Sequence, residues 1–494
     1  MNIKTAKQEI SNSIKAYVAK DEKGEYLIPT NRQRPILLIG PPGVGKTAIM
    51  EQVAAENKVA LVSYTITHHT RSSAMGLAQI VDMYYNKEPY TVTKYTMSEI
   101  IASIYRKMNI TGLSEGILFL DEINCVDESL SPAILQFLQC KTFGPHKVPD
   151  GWVIVVAGNP KEYNDSVREF DIATLDRLKK MDIQPDFDVW CEYAWGSRVH
   201  SAIIAYLYTH QDKFYYVNLG PNVKSFVTAR GWEDLSDMLK AYQRMGMAVE
   251  VDFVEEYLQN TEIANEFTRF YSEFNKTMTE YGFMDLDNIE DVDGLVDKYR
   301  GLSDEMKYVV VTLLVNAVSD LVCECEYEMY FAKNVLSMSS EIMDNYERTR
   351  SDYRYDTYSI SERVRQKLVG LEEANLLSKI ELSALKNAVK FVDDVALKYA
   401  RGRDEFLYAD EMTSQVNSEF EPILKNYYDF LRNTKVAISR IFSFAGMALE
   451  GEHKAVFDKE ISRNPNWVRF ESEPHFIDED DETENILLEK KYDM

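Results

Sequence analysis

The chain has 494 residues, of which 45% are hydrophobic and 27% charged; these are globular averages, and the length exceeds one ordinary core, which predicts two or three domains. The net charge of -25 is unevenly placed: residues 1–250 hold 27 Lys+Arg against 29 Asp+Glu, and residues 251–494 hold 28 against 51. A field of that sign repels phosphate backbones, so direct nucleic-acid binding is disfavoured and a protein surface with basic patches is the expected partner.

The N-terminal stretch is polar and mixed in charge, unlike a signal peptide. The longest apolar runs, 309–315 and 152–157, are too short to span a bilayer, so no membrane span is expected. Five cysteines, Cys125, Cys140, Cys191, Cys323 and Cys325, are sparse and odd in number, which predicts reduced thiols and a cytoplasmic setting.

Residues 1–190 alternate short apolar runs with helical stretches, the pattern of a parallel sheet with crossover helices. Strands are predicted at 35–39, 59–66, 117–120, 152–157 and 181–183, several of them apolar almost throughout, as strands buried on both faces are.

Directly after the first strand comes Gly40-Pro41-Pro42-Gly43-Val44-Gly45-Lys46-Thr47, which matches the phosphate-loop pattern G-x-x-x-x-G-K-[ST]. The glycines let the backbone N–H groups curl around a β-phosphate, and the helix starting near Lys46 and Ala48 adds its positive dipole end. Lys46 would reach the β and γ oxygens, and the Thr47 hydroxyl would bind Mg²⁺. None of the Asn-Lys pairs at 57, 86 and 275 has Asp three residues after its Asn. That omission favours ATP over GTP, with Ile28 and Pro29 as candidate walls for adenine.

An unusually long segment, 68–115, separates the second strand from the third. The third, Ile117-Leu118-Phe119-Leu120, ends in Asp121-Glu122. Asp121 would hold magnesium through its water shell and Glu122 would orient and polarise an attacking water, since such hydrolysis depends on positioning and charge. Alone, the pair could be a solvated strand end; after the glycine loop, the catalytic reading is favoured. Residues 143–150 read as a hairpin or loop exposed before the next strand. That strand, 152–157, leads into Gly158-Asn159-Pro160, where the carboxamide of Asn159 could bond a γ-phosphate or the lytic water, or simply form a turn.

Gly-Pro-Pro-Gly-Val-Gly-Lys-Thr at 40–47, Leu-Asp-Glu-Ile-Asn at 120–124, Ala-Gly-Asn-Pro at 157–160 and Thr-Leu-Asp-Arg-Leu at 174–178 occur in the order found in the MoxR family of AAA+ ATPases, which residues 25–240 resemble. The resemblance implies an α/β P-loop core, a small helical lid, a homo-oligomeric ring that is usually a hexamer, and chaperone-like remodelling or activation of a protein client, often beside a partner with a von Willebrand factor A domain. It makes Asn159 the γ-phosphate sensor and Arg177 the arginine finger that reaches a neighbouring subunit's nucleotide, with Lys179 or Lys180 able to share the role. Arg230 resembles the lid's second sensor, although Ala229 stands where the family has Pro. The family carries an insertion within the 68–115 region that bears on substrate engagement. Met83-Tyr84-Tyr85 and the turn at 86–89 are therefore contact candidates, with most of these aromatics expected to pack under the insert.

Beyond the lid, no proline occurs between Pro221 and Pro422, which predicts long helices. Leu382, Leu385, Val389, Val392, Ala396 and Tyr399 recur at helical spacing, and weaker patterns run through 252–281, 304–346, 361–377 and 419–449. His68-His69 lacks ligand partners at metal spacing. The domains expected are an ATPase core at 1–190, a lid at 191–248, an acidic and mainly α-helical domain at 249–473, which the resemblance does not cover, and an acidic tail at 474–494. Two other functions fit the same motifs: a slow nucleotide-dependent assembly switch or scaffold, and the motor subunit of a restriction or defence complex.

Overall fold

The computed structural model describes residues 1–68, 74, 76–126, 130–143, 145–163, 166–219, 224–281, 291–349, 353–374, 377–401 and 409–472. The acidic tail, His69 and the whole of 473–494 lie outside the described residues.

In the first half the strands are β1 (Ile36–Ile39), β2 (Ala60–Thr65), β3 (Ala78–Tyr85), β4 (Glu88–Tyr95), β5 (Gly116–Asp121), β6 (Thr142–Phe143), β7 (His146–Lys147), β8 (Trp152–Gly158) and β9 (Lys179–Asp182). β10 (Tyr216–Leu219) and β11 (Lys224–Val227) follow. Five of them form one sheet in the order β2-β5-β8-β1-β9, every pairing parallel. All five are the strands the apolar runs predict, and β8 is buried along its whole length, because helices cover both faces. On one face Ile36, Leu38, Phe119, Val153 and Val155 pack against the helices Ile3–Val18 and Ala48–Glu56. On the other, Leu37, Leu118, Leu120, Ile154 and Val156 pack against Glu99–Thr111 and Ser131–Cys140. Alternate residues of each strand thus serve opposite cores.

A parallel sheet collects the loops that follow its strands at one edge, and the phosphate loop, the Asp121-Glu122 pair and Asn159 all emerge there. Ile28 and Pro29 are at the other edge. The Ile28 carbonyl accepts Gln33 Nε2 at 2.9 Å, and Gln33 Oε1 faces Lys141 Nζ at the foot of the β6–β7 hairpin. They cannot wall an adenine bound at the phosphate loop; the residues just before β1 belong to the base of the sheet, whereas the helix Ile3–Val18 starts at its top, with the Met1 ammonium donating to the Asp182 carbonyl.

The 68–115 segment builds an antiparallel hairpin, β3–β4, joined by Asn86 and Lys87, both at positive φ (50° and 71°) as a two-residue hairpin turn requires. Tyr84 and Tyr90 are 74% and 50% exposed and Ile80 is 78% exposed, contrary to the expectation that the insert's aromatics pack beneath it. A two-stranded ribbon has no second layer to bury them. The 143–150 hairpin is only half exposed: Phe143 is buried and stacked on Phe137 at 4.1 Å, and Val148 is buried, while Pro145 and Lys147 face outward.

From Phe187 onward the regular elements among the described residues are helices, apart from the β10–β11 ribbon. One apolar cluster runs from Trp190 to Phe470, joining the helices Phe187–Gly196, Ser201–Thr209 and Ala229–Met245 to the first part of Asp304–Thr349 and to Ala409–Ala448. Buried Glu460 accepts the Trp195 indole N–H at 2.8 Å and fastens the last helices to that cluster. At 46 residues, Asp304–Thr349 is about 70 Å long at 1.5 Å per residue. Its far end enters a second core with Ile360, Ala388, Val389, Val392 and Phe420, so the periodic face read at 382–399 faces inward through Leu385, Val389 and Val392 and adds Ala384 and Ala388. Helix Tyr353–Ala374 then folds back onto Glu99–Thr111, the helix that follows the hairpin insert. Within Asp304–Thr349, residues 304–342 are long and apolar enough to cross a bilayer by composition, a stretch that short apolar runs do not reveal; 67% of that window is buried against other helices, the mark of a core helix. Pro422 lies inside Ala409–Ala448, which continues through it.

Candidate active site

The phosphate loop bends where glycine permits. Gly43 and Gly45 have φ of 74° and 88°, the left-handed geometry that turns successive amides inward. Gly40 lies so close to Ile183 after β9 that a Cβ there would sit 2.8 Å from the Ile183 Cβ. Helix Ala48–Glu56 starts with Thr47 as its cap, aiming its N-terminus at the loop.

Lys46 is the hub. Its Nζ donates to the carbonyls of Gly40 (2.7 Å) and Pro41 (2.9 Å) and to Asn159 Oδ1 (2.9 Å). The loop lysine and the proposed sensor, 113 residues apart in sequence, are thus in direct contact. Burial pulls the Lys46 ammonium down to about 8; the charge of Asp121 opposes that shift and the positive charge of Arg230 adds to it. Both charges are therefore within electrostatic range of Lys46, and Thr228, two residues before Arg230, abuts Gly43 of the loop. A cation in the first turn of Ala229–Met245 opposes the helix dipole, a local penalty that an anionic ligand would relieve.

Thr47 Oγ1 donates to Asp121 Oδ2 at 2.9 Å, and the Glu122 amide donates to Asp121 Oδ1 at 2.8 Å. A hydroxyl and a carboxylate converging on one point fit magnesium, which takes one or two protein oxygens and completes its shell with phosphate and water. Among the described residues no group of three His, Cys, Asp or Glu could hold a metal alone. Glu122 takes the left-handed conformation, φ 57°, which is uncommon for a residue with a side chain. Its Oε2 accepts Thr67 Oγ1 at 2.8 Å.

Arg177 does not join this cluster. It is exposed and follows the short helix Ile172–Leu175, which Asp171 caps with a 2.7 Å bond from the Thr174 amide. Lys179 pairs with Ile36 at the start of β1, and the phosphate loop begins only after Ile39, so about 10 Å of strand separates Arg177's end of the sheet from the loop. Lys179 is turned to Glu9 and Ser13, and Lys180, exposed like Arg177, pairs with Asp182. β9 begins at Lys179, two residues earlier than its apolar part suggests, and Leu178 is buried beneath it.

Three polar residues beyond the predicted set complete the site. Thr67 holds Glu122; its only signal in the sequence is its place just past the end of the strand beside β5. Asn124, buried, donates to the Asn159 carbonyl at 2.8 Å and lies against Gly158. Tyr215 donates to the Pro42 carbonyl at 2.7 Å, and nothing in its surrounding sequence marks it.

Residues 36–172 match the family described as AAA, ATPase family associated with various cellular activities. This stretch runs from β1 through the acidic strand end to the helix before Arg177. With the parallel sheet and the helical region after it, the match defines the class: the chain carries an AAA domain on a P-loop α/β core, the architecture of a general AAA+ ATPase. No curated protein matches the chain.

Proposed function

We propose that this protein is a ring-forming, MoxR-like AAA+ ATPase that uses ATP and Mg²⁺ to remodel or activate a protein client, with a von Willebrand factor A domain protein as one kind of partner. The observation that supports this reading is the placement of Arg177: exposed, and displaced from the phosphate loop by the length of β1, it suits a triphosphate held by a neighbouring protomer better than one in its own loop. In that arrangement Gly40 to Ala48 cradle the phosphates, Lys46 exchanges its carbonyl partners for phosphate oxygens, and Thr47 and Asp121 hold the metal. Glu122 orients water, Asn159 reads the γ-phosphate, and Arg177 and Arg230 neutralise charge that develops in transfer.

Work on a client needs moving parts. The helical region shares one apolar core with the lid, and its 46-residue helix leads to Tyr353–Ala374, seated on Glu99–Thr111 beside the hairpin. A lid displacement is thereby passed to the element that exposes Ile80, Tyr84 and Tyr90. The test is client-stimulated turnover. Ile80→Ser with Tyr84→Ser should keep basal ATP hydrolysis and lose stimulation by the protein that co-purifies with a Glu122→Gln ring; unchanged stimulation would remove the hairpin from the client path.

The Thr67–Glu122 bond favours a second reading, a slow assembly switch, because it occupies the carboxylate that would polarise water. Near-zero turnover in the presence of every partner would support the switch over the remodeller.

A further inference from the structure

The lid touches the phosphate loop at two adjacent residues. Tyr215 Oη donates to the Pro42 carbonyl at 2.7 Å, and Thr228 abuts Gly43 so closely that a Cβ there would meet the Thr228 Cβ at 2.8 Å. These two lid residues are themselves side by side. β10 and β11 pair Tyr216 with Val227, so Tyr215 and Thr228 are the next positions at the same end of the ribbon. Thr228 caps Ala229–Met245, accepting the Gly231 amide at 3.2 Å, and Trp232 Nε1 donates to the Lys213 carbonyl at 3.3 Å. The helix that carries Arg230 is thus tied at both sides to the segment that carries Tyr215. Phe214 anchors that segment in the lid core, 5.1 Å from the Trp190 ring. Tyr163, in the turn after Asn159-Pro160, is near enough to oppose ionisation of Tyr215, whose phenol burial already pushes upward.

We infer that Tyr215 is a positioning residue for the ATPase reaction: its bond to Pro42 seats the lid on the phosphate loop and thereby holds Arg230 at the site. The inference rests on the reading of this site as an ATP hydrolase. Tyr215 makes its bond to a loop carbonyl and needs no contact with nucleotide, so its effect passes through Arg230. A phenylalanine keeps the ring and its packing and removes only the hydroxyl.

Two measurements on the full-length chain decide it. In steady-state ATP hydrolysis, Tyr215→Phe should lower kcat roughly five- to tenfold, the loss of one neutral hydrogen bond, with KM and melting temperature little changed. In an Arg230→Ala background the same substitution should change kcat less than about twofold, the non-additivity expected of residues that act as a unit; equal losses in both backgrounds would overturn the inference. Independently, amide hydrogen exchange at residues 40–48 and 224–232 should be faster in Tyr215→Phe than in wild type, and unchanged exchange would overturn it whether or not the protein turns over ATP. A wild-type chain that hydrolyses nothing would sink the hydrolase reading, while the exchange comparison would still decide the seat.

Discussion

Thr67 Oγ1 donates a 2.8 Å hydrogen bond to Oε2 of Glu122, the carboxylate proposed to activate water. The register that pairs Thr65 with Asp121 carries the two chain segments off neighbouring strands together, so the contact follows from sheet order. An oxygen engaged by Thr67 is a poorer acceptor for a water proton. Thr67→Val should therefore raise basal ATP turnover, by up to about tenfold for one hydrogen bond to a charged group. An unchanged or lower rate in a coupled phosphate-release assay would show that Thr67 positions Glu122 for catalysis.

Lys46 gives a pH dependence with a definite sign. Its ammonium, drawn to about 8 in the fold by burial, against an ordinary 10.5, loses its proton through pH 8 while the unfolded chain keeps it. Between about pH 8 and 10.5 the unfolded state binds the extra proton, so this group makes folding more favourable as pH rises through that window and imposes its full penalty below it. Nucleotide affinity moves the other way, because the phosphate oxygens need the charged form. The Kd for Mg·ATP should weaken from pH 7.5 to 9.5, approaching tenfold per unit above pH 8. Lys46→Met, already weak in binding, should show no such slope in fluorescence titration.

Gly158 carries a prediction about the second layer of the site. A Cβ there would sit 2.4 Å from Asn124 Oδ1, the side chain whose amide holds the Asn159 carbonyl. Gly158→Ala should destabilise the core by about 1–3 kcal/mol, as overpacking does, and lower turnover together with the melting temperature. Calorimetry showing wild-type stability would mean Asn124 moves aside freely.

Much of this was legible in the chain. The five parallel strands announce themselves because strands buried on both faces are apolar at nearly every position, and the glycine loop because its chemistry requires those residues in that spacing. The helical half was legible as helix through its missing prolines, and its long reach was not, since no local pattern says that Asp304–Thr349 bridges two cores. Ile28 and Pro29 were misplaced for a related reason: nearness to β1 in sequence does not reveal which end of the sheet a segment occupies. The exposure of Tyr84 and Tyr90 ran against composition, which favours burial of aromatics, because a lone ribbon offers nowhere to bury them. Thr67 and Tyr215 carry no motif, and Asn124, although it closes the Leu-Asp-Glu-Ile-Asn run, carries no mark of its contact; their roles arise from neighbours more than 30 residues away.

The central claim is that ATP is hydrolysed between protomers, with Glu122 on one side and Arg177 on the other. Rings of Glu122→Gln and rings of Arg177→Ala should each bind Mg·ATP and fail to turn it over. After the two chains are mixed in equal amounts and allowed to exchange, about one interface in four joins an intact Glu122 to an intact Arg177, the random outcome for a head-to-tail contact. Phosphate release should recover to about a quarter of the wild-type rate at those non-equivalent interfaces. Full turnover by the Arg177→Ala chain alone, or no recovery in a mixture shown to exchange, would contradict the account.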